Sequence, residues 1–234
     1  MTNLILASGK GWLAFDKPQA MSVHNTDASN KELDVIASVR AILKTNPDLA
    51  LQLKAEKDFA PAPVHRLDVG TSGILLVALN KDTARQLAEE FQNQRTTKIY
   101  TAVLKGSAPE SILWSFPLTD RSEGRRDPAG RGPKKECHTE VHLIKKNEYF
   151  SLVEIHLLTG RTHQIRRHAA LAKHPVVGDL RYGTEEFCKK IKELYRFDRM
   201  ALHAEHLTIC IDDEPKKISS PIPNEFSNLF KVSI

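Results

Sequence analysis

Cysteine is scarce in this sequence, with three residues in a chain of 234. Cys137, Cys188 and Cys210 are odd in number and widely spaced, and no CxxC pair occurs. Disulfide-built secreted domains need even sets of cysteines, and cysteine zinc sites need closely spaced pairs. The sequence therefore predicts neither a disulfide framework nor a cysteine zinc site, and a reducing compartment suits it.

Long hydrophobic runs are also absent. No apolar stretch reaches the roughly 20 residues that a membrane-spanning helix needs, and the apolar part of the opening MTNLILASGKG is too short for a signal peptide. We therefore predict a cytoplasmic protein without a membrane partner. Since the sequence has neither an internal repeat nor a long linker, residues 1–234 are interpreted as a single domain.

The motifs that mark common nucleotide and metal sites are missing as well. Neither GxGxxG nor GxxxxGKS/T occurs, so nucleoside triphosphate chemistry is not indicated. Histidines are numerous, but the pairs His163 and His168, and His203 and His206, match neither HExxH nor another complete ligand set. We therefore predict no catalytic metal.

Positive charge is in excess, with a formal net charge of +5 and an isoelectric point of about 9.0. Much of it lies in residues 120–136 (DRSEGRRDPAGRGPKKE), which we call the basic segment. Its cations are Arg121, Arg125, Arg126, Arg131, Lys134 and Lys135. Glycine and proline among these charges exclude a packed core. A solvated loop and an arm that binds nucleic-acid phosphates both remain open.

Hydrophobic periodicity predicts both strands and helices. Residues 74–79 (ILLVAL) have the continuous apolar run of a buried strand, and residues 82–95 have the pattern of an amphipathic helix. Further strands are predicted at residues 12–18, 99–104, 139–144, 150–158 and 200–211. Further helices are predicted around Leu33, Ile36, Val39 and Leu43, and from Thr162 to about Lys173. Hairpins mixed with helix-linked strands favour an α+β mixed sheet over a regular βαβ series.

Two polar clusters are candidates for chemistry. Asp68 in HRLDVGTSG directly precedes the predicted buried strand, where a sheet holds a loop residue rigidly. An aspartate two residues from an arginine is more often part of a turn or a surface ion pair, so this segment alone favours a structural role. Arg166 in GRTHQIRRH lies on a predicted helix, beside the inward stripe of Ile165, Ala169 and Ala172. A cation at the edge of a core requires a carboxylate, either a structural acid or a catalytic one such as Asp68. The free N–H groups and cations at the start of this helix also suit an anion.

Four motifs in order resemble those of RluA-type pseudouridine synthases. VHRLDVGTSGILLVA is followed by KIYTAVLKG, by LLTGRTHQIRRHAALAKHPVVGDLRYG and by ALHAEHLTI, and the opening FDKPQAMSVH resembles the family's first strand and turn. The resemblance covers nearly the whole chain from about Trp12. It implies the α+β pseudouridine synthase catalytic fold, in which helices and loops flank a central, mainly antiparallel bent sheet around a basic cleft.

The resemblance also implies roles for individual residues. Asp68 matches the family's essential aspartate, Tyr100 its active-site tyrosine, and Arg166 the basic residue that pairs with the aspartate. Arg66 resembles the residue that fills the RNA stack after the target uridine has left it. Leu202 matches an apolar residue that packs near the target base.

RNA binding is expected to reside in the catalytic domain. The fold begins near Trp12, which leaves no room for the N-terminal S4-like domain of many relatives. A loop at the place of the basic segment grips the substrate in the family, so Arg125, Arg126 and Arg131, together with Arg161, are predicted to bind RNA. The implied partner is structured RNA, ribosomal or transfer, and the implied enzyme is a monomer with no protein partner indicated.

The implied reaction requires no cofactor. Uridine loses its N-glycosidic bond, the base turns and rejoins the sugar through C5, and neither a redox change nor an added group results. An ionised Asp68 either attacks the sugar or removes a proton on the way to a glycal, and both routes remain open. Arg166 stabilises the charged carboxylate, Tyr100 stacks on the base and assists loss of the C5 proton, and the target base flips out of its helix. Two rivals are an N-glycosidase that releases uracil and a non-catalytic RNA-binding module.

Some positions depart from the family pattern. Arg167 stands where an aliphatic residue usually follows the catalytic arginine, and Lys173 where glycine usually precedes His-Pro. Asn80-Lys81 replaces the usual Ala-Lys. None of these departures falls on Asp68 or its two proposed partners. Residues 184–199, rich in charge and aromatics, either adjust substrate choice or cover a sheet edge.

Overall fold

The computed structural model describes residues 2–24 and 34–231. Its strands are β1 Ile5–Gly9, β2 Trp12–Lys17, β3 Ala62–Pro63, β4 Ser72–Ala78, β5 Thr97–Lys105, β6 Ser111–Trp114, β7 Thr139–Lys146, β8 Phe150–Leu157, β9 Leu202–Ile211 and β10 Glu214–Ser219. Its helices are α1 Val35–Thr45, α2 Pro47–Gln52, α3 Lys81–Gln92, α4 Gln164–Leu171, α5 Glu185–Tyr195 and α6 Glu225–Asn228. The predicted α+β class is confirmed.

The chain divides into two compact units. Unit 1 comprises Met1–Thr96 and Ala204–Pro221, and unit 2 comprises Thr97–His203 and Ile222–Ile234. In unit 1, β2 pairs with β1 and β4, β3 pairs with β4, and β10 pairs with β9. In unit 2, β8 lies between β5 and β7, and β6 pairs with β7. All of these pairings are antiparallel, in agreement with the predicted character of the sheet.

The core of unit 1 is built around β4, whose seven residues are all buried. On one face Ile74 and Leu76 pack with Leu87 of α3, and burial of each such side chain contributes about 1.5–3 kcal/mol. Gly73 has φ +105°, and a Cβ there would overlap the carbonyl of Ala204 in β9. The backbones of β4 and β9 therefore approach closely beside the loop that carries Asp68.

The predicted strands at residues 12–18, 74–79, 99–104, 139–144, 150–158 and 200–211 are confirmed as β2, β4, β5, β7, β8 and β9. The helix predicted from residue 82 begins at Lys81, because the Asn80 side chain caps it by accepting from the Thr83 N–H at 2.9 Å, and it ends at Gln92. The predicted helix around Ile36 is α1, and Leu33 lies outside the described residues.

The fourth helix is shorter than the predicted span of Thr162 to about Lys173. It begins at Gln164, because His163 adopts the left-handed conformation with φ 54° and ψ 26°, which an α-helix cannot include. Its last residue is Leu171. Residues 184–199 contain α5, whose N-terminus is capped by Thr184 and whose buried residues are Ile191 and Tyr195.

The three cysteines are free thiols. Within residues 2–24 and 34–231, no helix has both the length and the apolar character that crossing a membrane requires.

Candidate active-site residues

The loop of residues 65–71, which we call the Asp68 loop, is held in unit 1 by a buried ammonium group. Lys17 at the end of β2 is fully buried, and its Nζ donates to the carbonyl oxygens of Met21 at 2.8 Å and Val69 at 3.1 Å. The N–H of Ala20 donates to the same Val69 oxygen at 2.9 Å. The backbone carbonyl of Val69, the residue that follows Asp68, therefore accepts hydrogen bonds from two donors.

The other side of the Asp68 loop is held by the sheet. His65 Nε2 accepts from the Leu76 N–H of β4 at 3.0 Å, so His65 carries its proton on Nδ1 when neutral. The His65 ring also stacks on Phe91 of α3, with ring centroids 4.7 Å apart. Between these anchors the Asp68 carbonyl accepts from Thr71 N–H at 3.0 Å, which closes a turn.

Side-chain exposure differs along the Asp68 loop. Leu67 is buried, Asp68 is half-buried and Arg66 is exposed. A carboxylate on a backbone held from both sides keeps its position when a reacting group approaches, which is what general-base or nucleophilic chemistry requires. Arg66 is open to solvent, so its side chain is accessible to a ligand.

Tyr100 and Leu202 belong to unit 2. Tyr100 lies in β5 opposite Ile155 of β8 and is 8% exposed. Leu202 is the first residue of β9 and is 3% exposed. Both side chains are therefore fixed by their strands.

Arg166 makes a two-point ion pair with Asp179 in unit 2, which the sequence analysis did not identify. Its Nε donates to Asp179 Oδ2 at 2.7 Å and its Nη2 donates to Asp179 Oδ1 at 2.9 Å. The Arg166 and Asp179 side chains are 10% and 0% exposed. The Arg166 guanidinium carbon lies 5.1 Å from the ring centroid of Tyr182. Asp179 is thus one carboxylate partner of Arg166, and it lies in the quoted motif GDLRYG without having been given a role.

The start of α4 is organised by Gln164. Its Oε1 accepts from the Thr159 hydroxyl at 2.8 Å and from the Arg161 N–H at 3.0 Å. Its Nε2 donates to the His138 carbonyl at 3.0 Å and to the Thr139 hydroxyl at 2.9 Å. The Arg161 N–H is therefore not one of the free donors that the sequence analysis expected for an anion here.

The basic segment exposes all six of its cations. A short 3-10 turn, Gly124–Arg126, carries Arg125 and Arg126, and these two line a cleft of about 420 Å³ together with Glu123 and Arg181. Arg131 Nε lies 3.5 Å from a Glu123 carboxylate oxygen.

The segment is also linked to Arg161, which precedes α4. Arg161 Nη1 lies 3.8 Å from Asp120 Oδ1, and Lys135 Nζ lies 3.2 Å from Asp120 Oδ2. The structure therefore brings Arg161 next to one end of the basic segment, while Arg125 and Arg126 lie on the turn between its ends.

His168 contacts Phe116 and Thr139, which flank the basic segment in sequence, and it is fully buried. Its Nε2 lies 2.9 Å from the Phe116 carbonyl and its Nδ1 lies 3.0 Å from the Thr139 hydroxyl. A carbonyl can only accept, so Nε2 is the donor and Nδ1 accepts from Thr139. Burial lowers the pKa of His168 to about 4, so the ring is neutral at pH 7. Both ring nitrogens are therefore engaged, and in the described part of the chain no group of three or more His, Cys, Asp or Glu could hold a metal.

The chain is similar to known RNA-modifying proteins. The family model described as RNA pseudouridylate synthase matches residues 11–171. Ribosomal large subunit pseudouridine synthase C of Buchnera aphidicola is 32% identical over 239 residues, which cover 98% of this chain and 70% of that protein. Ribosomal large subunit pseudouridine synthase D of Xanthomonas campestris is also 32% identical, with coverage of 94% and 66%. A tRNA pseudouridine synthase C of Salmonella typhimurium is 30% identical, with coverage of 62% and 61%.

Solved structures show the same fold. Human RNA pseudouridylate synthase domain containing 1 superposes with a TM-score of 0.69 at 28% identity, covering 93% of this chain and 82% of that one. Human RNA pseudouridylate synthase domain containing 4 gives a TM-score of 0.74 at 23% identity, covering 97% and 91%. The chain belongs to the RNA pseudouridylate synthase family. It spans between about half and 70% of the length of the ribosomal synthases that it matches.

Proposed function

We propose that this protein is an RNA pseudouridine synthase that isomerises particular uridines of structured RNA, ribosomal or transfer. Its membership in the family supports the reaction, and the names of the relatives support both classes of RNA. We propose further that it works as a monomer in the cytoplasm and needs neither a metal nor an organic cofactor.

The observation that carries the proposal is the anchoring of the Asp68 loop. The carboxylate follows the buried Leu67, and the next residue is held by Lys17 and Ala20. Asp68 acts on the sugar, either by attack at C1′ or by removal of the 2′ proton. In either route the bond from N1 to C1′ breaks, the bond from C5 to C1′ forms, and the proton leaving C5 balances the one that N1 gains.

The remaining predicted residues have supporting roles in this proposal. Tyr100 stacks on the uracil ring and assists removal of the C5 proton. Arg166 is the cation that favours the charged form of the catalytic carboxylate. Arg66 and Leu202 contact the RNA stack and the target base. Arg125, Arg126, Arg131 and Arg161 bind backbone phosphates.

The decisive experiment replaces Asp68 with asparagine, which keeps the size of the side chain and removes its charge. We expect pseudouridine formation to be abolished, while the thermal midpoint and the RNA affinity stay near their wild-type values. Asp58→Asn is the matched control, since Asp58 is an exposed aspartate of the same unit. Normal turnover by Asp68→Asn would refute the assignment.

The substrate is found by mapping pseudouridines in total RNA from cells with and without the gene. Purified protein incubated with unmodified transcripts of the mapped RNAs then separates the rival functions. An N-glycosidase would release free uracil, and a non-catalytic module would bind RNA without forming a product, with or without Asp68.

A further inference from the structure

Arg167 is a buried cation whose hydrogen bonds run to the basic segment. The residue is 1% exposed. Its Nε donates to the Pro128 carbonyl at 2.6 Å, its Nη1 to the Thr119 carbonyl at 2.8 Å and its Nη2 to the Ala129 carbonyl at 2.7 Å. Longer bonds join Nη1 to the Thr162 carbonyl at 3.2 Å and Nη2 to the Thr119 hydroxyl at 3.3 Å. One side chain thus contacts two parts of the chain that are nine residues apart in sequence.

The acceptors of Arg167 match the geometry of an arginine side chain. Burial opposes the positive charge and lowers the pKa of the guanidinium. The three short bonds use three different nitrogens and go to backbone carbonyls of residues 119, 128 and 129. Lysine has a single nitrogen and cannot donate along these separate directions, and an aliphatic side chain would leave the carbonyls without this donor.

The part of the chain that Arg167 holds is a closed loop. The Thr119 N–H donates to the Ala129 carbonyl at 3.0 Å, and the Thr119 hydroxyl, with its single proton, lies within hydrogen-bond distance of both the Arg121 and the Ala129 carbonyls. Gly130 has φ +82°, and a Cβ there would overlap the Thr119 hydroxyl and the Arg121 carbonyl. The exposed cations of residues 121, 125 and 126 lie between the two ends of this loop, and Arg131 lies just beyond it.

We propose that Arg167 is a positioning residue for RNA binding, which closes the base of the basic segment and holds its exposed arginines in place before RNA arrives. Arg167 does not contact the RNA itself, because its side chain is buried. Groups that are ordered beforehand lose less conformational entropy on binding, so the affinity is higher. The inference rests on the proposed function only in naming RNA as the ligand.

The test compares Arg167→Lys and Arg167→Val with wild type. Ile165→Val is the matched control, because Ile165 is a buried neighbour on α4 and the change removes one methylene without removing a hydrogen-bonding group. Binding is measured with bulk transfer RNA at several salt concentrations, and the pseudouridylation rate is measured in single turnovers at saturating enzyme. The order of the segment is measured by native-state trypsin cleavage after Arg121, Arg125, Arg126 and Arg131.

We expect trypsin to cleave both variants faster within the basic segment. Both variants should also bind RNA about tenfold more weakly, because several side chains must then be ordered on binding. The single-turnover rate at saturation should stay within about twofold of wild type, because Arg167 is assigned to binding rather than to chemistry. Ile165→Val should leave affinity and cleavage unchanged. A folded Arg167→Val with wild-type affinity and wild-type cleavage would overturn the inference.

A second variant covers the case in which the Arg167 variants do not fold. Thr119→Val removes the hydroxyl that bonds Arg167 and the Ala129 carbonyl, and it leaves the guanidinium in place. It should shift cleavage and affinity in the same direction by a smaller factor, and unchanged values would count against Arg167. If wild type forms no pseudouridine, the proposed enzyme activity fails, whereas trypsin cleavage and RNA affinity still judge Arg167.

Discussion

Two irregular segments, the Asp68 loop and the basic segment, are each held by a buried cation that donates to backbone carbonyls. Lys17 contacts the residue next to Asp68, so the anchor and the proposed catalytic residue are almost adjacent. Arg167 contacts residues 119, 128 and 129, so its anchors lie at the base of the basic segment and the exposed cations lie further out. The first arrangement fixes a single functional group, and the second fixes the base of a surface.

The two arrangements correspond to two properties of an RNA-modifying enzyme, the rate of the reaction and the affinity for RNA. A carboxylate that acts on a sugar must be held to within a fraction of an ångström, whereas phosphates are bound at longer range by several charges together. Changes near the reacting groups should therefore lower the rate at saturation and leave affinity intact. Changes in the basic segment should lower affinity and leave that rate intact.

After Asp68→Asn, Arg166→Lys should have the largest effect on the rate. Lysine keeps the charge but cannot reproduce the two-point bond to Asp179, so the cation moves away from its place. Such a displacement at a reacting centre costs about 100-fold in rate. The check is the single-turnover rate at saturating enzyme, with Arg196→Lys, an exposed arginine of the same unit, as the control. Near-wild-type turnover would remove Arg166 from the mechanism.

The second prediction concerns the pH dependence of stability, through His168. Its pKa is about 4 in the fold and about 6.5 in the unfolded chain, because burial disfavours the charged ring. Between these values the unfolded chain binds more protons, so stability falls as the pH drops from 6.5 to 4 and is unaffected above 6.5. The loss reaches about 3 kcal/mol near pH 4.

Urea unfolding of wild type and His168→Gln at several pH values between 4 and 7 isolates this term. Glutamine can still donate to the Phe116 carbonyl but does not titrate. Wild type should therefore lose more stability than the variant as the pH falls. A difference between the two proteins that does not vary with pH would contradict the prediction. Faster trypsin cleavage of the basic segment at low pH would show that His168 also supports the base of that segment.

The elements that could be predicted from sequence are those in which local pattern and environment agree. The run ILLVAL became β4 because both of its faces are covered, and the helix that follows begins at a recognisable asparagine cap. The shortening of α4 could not be predicted, because the left-handed conformation of His163 comes from the surrounding turn rather than from a residue type that favours it.

The candidate site could be predicted from sequence only where its residues lie in one contiguous motif. The motif containing Asp68 is contiguous in sequence, so the residue could be singled out, although its catalytic role remains a proposal. Asp179 lies 13 residues beyond Arg166, and only the fold brings the two side chains together. Arg167 stood out as a departure from a family pattern, but the sequence did not indicate that it holds residues 119, 128 and 129.

The third prediction concerns Arg125, Arg126 and Arg131 replaced together with alanine. RNA binding should weaken, because fewer counterions are released. The slope of log affinity against log salt should become shallower by about 0.7 to 0.9 for each phosphate that the variant no longer binds. The single-turnover rate at saturation should change much less. The matched control removes three exposed lysines of unit 1, Lys10, Lys44 and Lys57. If affinity and salt slope are both unchanged, the basic segment is a solvated loop, and RNA binding would then be sought around Arg161.

The smallest effect is expected from removal of metal ions, which tests whether either segment needs one. Both nitrogens of His168 are engaged, and His163 Nδ1 lies 2.9 Å from the Tyr182 hydroxyl, so these two histidines have other partners than a metal. The proposed isomerisation requires only proton transfers and a carboxylate. Turnover should therefore survive exhaustive treatment with EDTA, provided that the RNA remains folded, which a melting curve of the RNA alone checks.

Loss of activity that zinc restores and magnesium does not would show that a histidine site takes part after all. Restoration by magnesium in parallel with refolding of the RNA would leave the prediction intact, because the ion would then act on the substrate rather than on the protein.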